Sequence, residues 1–177
     1  MFQHADDPVA LAVDLANTWD TLEDPPELLG AVADLRRFLA RRGIEGRVRE
    51  GDLTRARAVR DSLRAAFSAA DVNAAVDVLN RLLRDAGALP QLASTGAGWR
   101  FTYASADVVD AVAASAAASL LEAVRDDGWD RFGVCAGAPC CCVFVDRSKN
   151  RSRRFCSTLC ADRIAQASHR SRVRGTS

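Results

Sequence analysis

The sequence predicts a mainly α chain: an N-terminal helical domain with one small β-hairpin, then a compact C-terminal module of knuckle, β-hairpin and helix. Three observations predict it. Apolar residues recur at helical spacing through most of the first 130 residues. The period changes near residues 89–104, where two short β-prone runs flank a Gly-rich turn. All six cysteines then fall between Cys135 and Cys160, with none before.

The elements follow in order. "PPELLGAVADLRRFLARRG" opens with prolines suited to a helix start, spaces Leu28, Val32, Leu35 and Leu39 along one face, and stops at Gly43. Asp52 is expected to cap the next helix, whose stripe Leu53, Ala56, Leu63 and Phe67 is interrupted by Arg60. A third helix, about Val72 to Asp85, is expected to bury Val72, Val76, Leu79 and Leu83. After the hairpin, Ser105 caps a long Ala-rich helix from about Ala106 to Arg125, with Val109, Val112, Ala116, Leu120 and Val124 inward. "DDGWDRFG" breaks it, which divides the chain into a helical domain, 1–130, and a cysteine-rich module, 131–177.

The 177 residues, 49% hydrophobic, suffice for one ordinary domain with a small appendage. No run of 18 apolar residues occurs and the start lacks an export pattern, so a cytoplasmic protein without membrane contact is expected. In a reducing compartment, clustered cysteines favour metal binding or redox chemistry over disulfides. Heavy use of Ala and Arg fits a bacterial source. The net charge of +1 is uneven: nine of the 24 Lys/Arg but only one of the 23 acids lie from Arg147 to Ser177, a local +8 that leaves −7 elsewhere. A polyanion is therefore the expected partner of the C-terminal module.

Cys135 and Cys140 form a C-x4-C knuckle, and Cys156 and Cys160 form a C-x3-C pair fifteen residues later. Four thiolates around one Zn2+ require two such turn-shaped pairs brought together. "CVFVD" and "RSRRFC", joined by the turn-prone "RSKN", supply a hairpin that returns the chain, and a helix from Cys156 completes a treble-clef-like finger. Adjacent residues on a strand face opposite ways, so Cys140, Cys141 and Cys142 cannot all reach one ion; the turn at 137–139 directs Cys140 back toward Cys135. Cys141 and Cys142 then read as small buried hydrophobes or as a redox-active pair beside the metal. His169 lies nine residues past Cys160, about 13 Å along a helix, too far to ligate. A site filled by four cysteines is structural, and metal binding then supplies on the order of 10 kcal/mol of folding free energy. On this reading, losing the metal unfolds the finger and leaves the helical domain intact.

Arg163, Arg170 and Arg174 recur within about a 40° stripe of the last helix, and the hairpin adds Arg147, Lys149, Arg151 and Arg153, a footprint suited to phosphate contacts on DNA. Arg153 and Arg154 also stand close enough to the thiolates to neutralise them. In the helical domain, Asn17, Thr18, Arg60 and Asn80 are polar residues at apolar edges. They either pair within the core, Arg60 with Asp14, or line a pocket for a small-molecule effector. No catalytic triad, carboxylate pair or phosphate-binding loop stands out, so no enzymatic activity is expected. The readings that follow are a DNA-binding transcription regulator with a sensing or oligomerising (homodimer) domain, or a zinc-stabilised protein-interaction or thiol-responsive module that does not bind DNA.

"CAGAPC", "VFVDRSKNRSRRFC" and "CADRIAQASHRSR" together resemble the CGNR-type zinc finger, and "LAVDLANTWD", "PPELLGAVADLRRFL" and "LNRLL" resemble the ABATE domain that accompanies it in bacterial proteins. The resemblance implies a stress-induced transcriptional regulator whose finger binds zinc and DNA, with Cys135, Cys140, Cys156 and Cys160 as ligands. The signature Cys-Gly-Asn-Arg stands here as Cys160-Ala161-Asp162-Arg163, with one residue fewer between the last two cysteines than in many members and a negative charge where the family has a neutral Asn.

Overall fold

A computed structural model describes residues 9–95 and 98–175 of the chain. The fold is mainly α. α1 (Ala10–Ala16) is buried nearly all round, as expected of a short helix in the centre of a core. Asp14 pairs there with Arg42, which also donates to the carbonyl of Ala10, so the buried charge is compensated.

The next helix starts later than the prolines suggest. Residues 18–28 fold back on themselves, with the Asp20 amide donating to the Pro26 carbonyl and the Leu28 amide to the Thr18 carbonyl. These bonds occupy the backbone around the prolines and leave Leu28 exposed. α2 (Val32–Arg41) begins only where the Asp34 carboxylate accepts from the Ala31 amide at 2.8 Å, and Gly43, at φ 63°, ends it.

α3 (Asp52–Phe67) buries Ala56, Arg60, Leu63 and Phe67. Asp52 is its first residue rather than its cap, and its carboxylate accepts from the Arg49 amide at 2.7 Å. α4 (Val72–Ala86) is capped by Asp71, which accepts from the Ala74 amide at 2.9 Å. Its buried face is Ala75, Leu79, Leu82 and Ala86; Val72 is exposed and Val76 and Leu83 are half-buried. The stripe is displaced from the bulkiest residues because small ones meet at the contact: Ala86 packs with Ala113 and Ala114 of the long helix.

β1 (Leu89–Thr95) and β2 (Gly98–Ala104) form an antiparallel hairpin with Leu92 opposite Phe101. α5 (Val108–Asp127) is capped by Asp107, whose carboxylate accepts from the amides of Val109 and Asp110. Ser105 lies two residues outside, accepting from the Asp107 amide. α5 buries Val109, Val112, Ala116 and Leu120 as its spacing predicts, while Val124 is half-buried.

A 3-10 turn at Trp129–Arg131 leads into β3 (Phe132–Val134), which pairs antiparallel with β4 (Val143–Val145); α6 (Thr158–Gly175) closes the chain. The expected pairing of "CVFVD" with "RSRRFC" does not occur. β4 pairs upstream instead, because the Asp146 carboxylate holds the loop by accepting from the Ser148 amide at 2.7 Å and the Arg153 amide at 2.8 Å. Val143 and Val145 of β4 lie in the same hydrophobic core as Leu15, Leu63 and Leu120. Finger and helical body therefore share one interior, so the expectation that the body outlives loss of the finger does not follow from this packing.

Candidate metal centre and basic face

The knuckle is built by two tight contacts. The Cys135 amide donates to the Cys142 carbonyl at 2.9 Å as the strands diverge, and the Cys140 amide donates to the Gly137 carbonyl at 3.0 Å, turning the chain. The fit at Gly137 is tight: an added Cβ would stand 3.4 Å from the Cys135 sulfur and 3.3 Å from the Arg163 guanidinium. Cys156 precedes α6 and Cys160 sits in its first turn, where the Ser157 hydroxyl accepts from the Cys160 amide at 3.3 Å.

The sulfurs of Cys135, Cys140, Cys156 and Cys160 all lie within 4.8 Å of one another. Cys140 to Cys156 and Cys156 to Cys160 are each 3.7 Å. A tetrahedron with that edge has its centre about 2.3 Å from each corner (edge divided by about 1.63), the zinc–thiolate bond length. The residues thus fit a four-coordinate ion. Burial pushes the Cys140 and Cys156 thiols above their ordinary range. Burial acts on Cys160 in the same direction, but the Arg163 guanidinium, 3.9 Å from its sulfur, together with hydrogen bonds from Cys156, Cys140 and Ser157, outweighs it and holds that thiol below the ordinary value. An ion entering here displaces thiol protons.

Of the residues expected to face DNA, two turn inward. Arg163 donates to the carbonyls of Gly137 and Ala138, tying α6 to the knuckle. Arg153 donates to the carbonyls of Phe155 and Cys156 and stacks on Phe144 at 4.9 Å. Knuckle carbonyls lose their water when the turn packs on α6, and a guanidinium fork is the side chain able to satisfy two of them at once. Arg151, in the left-handed region at φ 50°, pairs with Asp130 at 2.6 Å on the surface. Arg147, Lys149 and Arg170 are exposed, as is Arg154. The Arg174 side chain falls outside the described residues.

The four residues considered for an effector pocket are dispersed. Asn17 donates to the Val143 carbonyl at 2.9 Å and accepts from the Val143 amide at 2.8 Å, clasping the backbone of β4. Thr18 donates to the Leu15 carbonyl. Arg60 forms a two-pronged pair with Glu27 at 2.7 and 2.9 Å and another with Asp61, not with Asp14. Asn80 is half-buried on α4. A narrow apolar cavity among Leu15, Leu35, Phe38, Ala56, Val59 and Val112 includes none of the four.

Three contacts between body and finger escape sequence reasoning. Besides Asn17, Thr21 donates to the Pro139 carbonyl at 2.5 Å, and Arg64 donates to the carbonyls of Ala16 and Cys141 at 3.1 and 3.0 Å. The only signal in the sequence is a polar residue, Asn17, closing an apolar run, and nothing local says what it faces. No helix among the described residues is long and apolar enough to cross a membrane.

Residues 9–127 match the sequence profile named ABATE, described as "Putative stress-induced transcription regulator". Residues 131–173 match the CGNR zinc finger. Among curated proteins, none matches the chain significantly.

Proposed function

The chain belongs to the ABATE family and carries a CGNR zinc finger, and from that membership we propose that it is a transcription regulator whose zinc-organised finger binds duplex DNA. Zinc suits the four-thiolate set because the 3.7 Å sulfur edges match its bond length and a filled tetrahedral shell demands no redox change. The ion closes the finger and performs no chemistry, and we assign the protein no catalytic step.

The observation that carries the DNA reading is the exposed cation set Arg147, Lys149, Arg154 and Arg170 on a region of net +8, beside a body of net −7. Such cations locate a protein on the phosphate backbone without reading sequence. Titrating the metal-loaded protein with duplex DNA at several ionic strengths tests it. Four phosphate contacts give a slope of log K against log salt of about −3.6. Absence of binding at low salt refutes the reading. A protein-interaction module is the second reading, favoured by the exposed Leu92, Trp99 and Phe101 on one face of the β1–β2 hairpin.

A further inference from the structure

We propose that Asp20, Cys140 and Cys142 form a second metal site, in which the Cys140 sulfur is shared with the four-cysteine centre and a second Zn2+ is held between finger and body. One ligand atom from each of the three lies within 4.8 Å of the others. In an extended segment, residues two apart face the same side, so a C-x-C pair presents both sulfurs to one ion. Cys142 is 7% exposed and Cys140 5%, so both thiols are buried, and thiolates are soft donors that favour Zn2+.

The third donor comes from the other part of the molecule. Asn17 on Val143 and Thr21 on Pro139 fix the segments on either side of Asp20 against those on either side of Cys140. The carboxylate is thus placed by contacts that owe nothing to a metal. Its Oδ1 accepts from the Leu22 amide at 2.9 Å, and among the described residues Asp20 takes part in no ion pair. A single Zn2+ with four thiolates carries a formal −2, so a lone carboxylate this near Cys140 sets anion against anion. A second dication removes the repulsion. Two thiolates and a carboxylate are a zinc-type donor set, and solvent completes the shell. Binding releases the Cys142 proton to solvent as the sulfur–metal bond forms.

This inference rests on the four-cysteine centre holding metal, and stoichiometry separates the two. Equilibrium dialysis of the full chain against excess Zn2+, read by elemental analysis, is expected to give two ions per chain. Cys142→Ser and Asp20→Asn should each give one, and Cys141→Ser should keep two. With 113Cd2+, the shared sulfur should couple two cadmium resonances in the wild-type protein. One ion per wild-type chain, or two ions retained by both variants, overturns the second site and leaves the first standing. No bound ion overturns both. Asp20→Asn leaves every thiol in place, so a folding defect in the cysteine variant does not shelter the proposal.

Discussion

The helical body and the finger are held by different forces. In the body, Leu15, Leu29, Leu35, Leu63, Leu79 and Leu120 are each at most 2% exposed, and α5 contributes a further run of buried alanines. In the finger the buried cluster is Cys135, Cys140, Cys142 and Cys160, with Phe155 and Cys156 packed at its edge. A segment that short cannot bury enough carbon to fold by the hydrophobic effect, and a metal–thiolate shell at the four cysteines would take the place of a core. The two regimes meet at β4, whose Val143 and Val145 belong to the body's interior while Cys142 precedes them. Stability gained at a bound metal would reach the body through these two valines and through the hydrogen bonds that Asn17, Thr21 and Arg64 make to the finger's backbone.

The largest test of that contrast is Cys156→Ser. It should abolish binding of the first ion, removing on the order of 10 kcal/mol from the finger, and it should also lower the temperature at which the helices melt. Circular dichroism beside metal analysis checks both, and helices melting at an unchanged temperature would restore the picture of independent domains. Next is Arg60→Ala within the body, which removes the buried guanidinium paired with Glu27, leaving that carboxylate Arg57 at 3.3 Å, and should cost about 3 kcal/mol in denaturant unfolding, with metal content unchanged.

Asn17→Ala removes both bonds to Val143 and should cost about 2 kcal/mol, with a measurable loss of metal affinity because β4 is no longer clasped. Asp107→Ala removes the α5 cap and should cost about 1 kcal/mol without affecting metal. Burial favours the neutral form of Asp107, yet Arg55 and the amides of Val109 and Asp110 outweigh it and hold the carboxyl below its usual range. Its contribution is then present above about pH 4 and disappears as pH falls through the lower folded value, so the difference between wild type and variant should narrow in acid. The smallest effect is Arg170→Ala, expected to keep fold and metal and to reduce the DNA salt slope by about 0.9.

Much of this was legible in the sequence where the physics is local. The spacing of the four cysteines, the hairpin at residues 89–104 and the inward face of α5 follow from periodicity and turn chemistry. What was not legible depends on partners distant in sequence. Arg163 has the spacing of a surface stripe and Arg153 reads as a hairpin cation, but carbonyls of the knuckle claim the first and those of Phe155 and Cys156 the second. Val143 reads as any β-prone valine until Asn17, 126 residues away, grips its backbone. Arg60 interrupts an apolar stripe for a reason that Glu27, 33 residues away, supplies. Helical periodicity likewise misplaced the α4 stripe, since it ranks residues by bulk and cannot see that α5 offers an alanine surface.

The most direct test of the account is the affinity of the full chain for duplex DNA at low salt, measured before and after metal is removed by a chelator and again after Zn2+ is restored. The account predicts salt-sensitive binding by the zinc-loaded protein, loss on stripping and recovery on reconstitution. Equal affinity with and without metal, or none in either state, would contradict it.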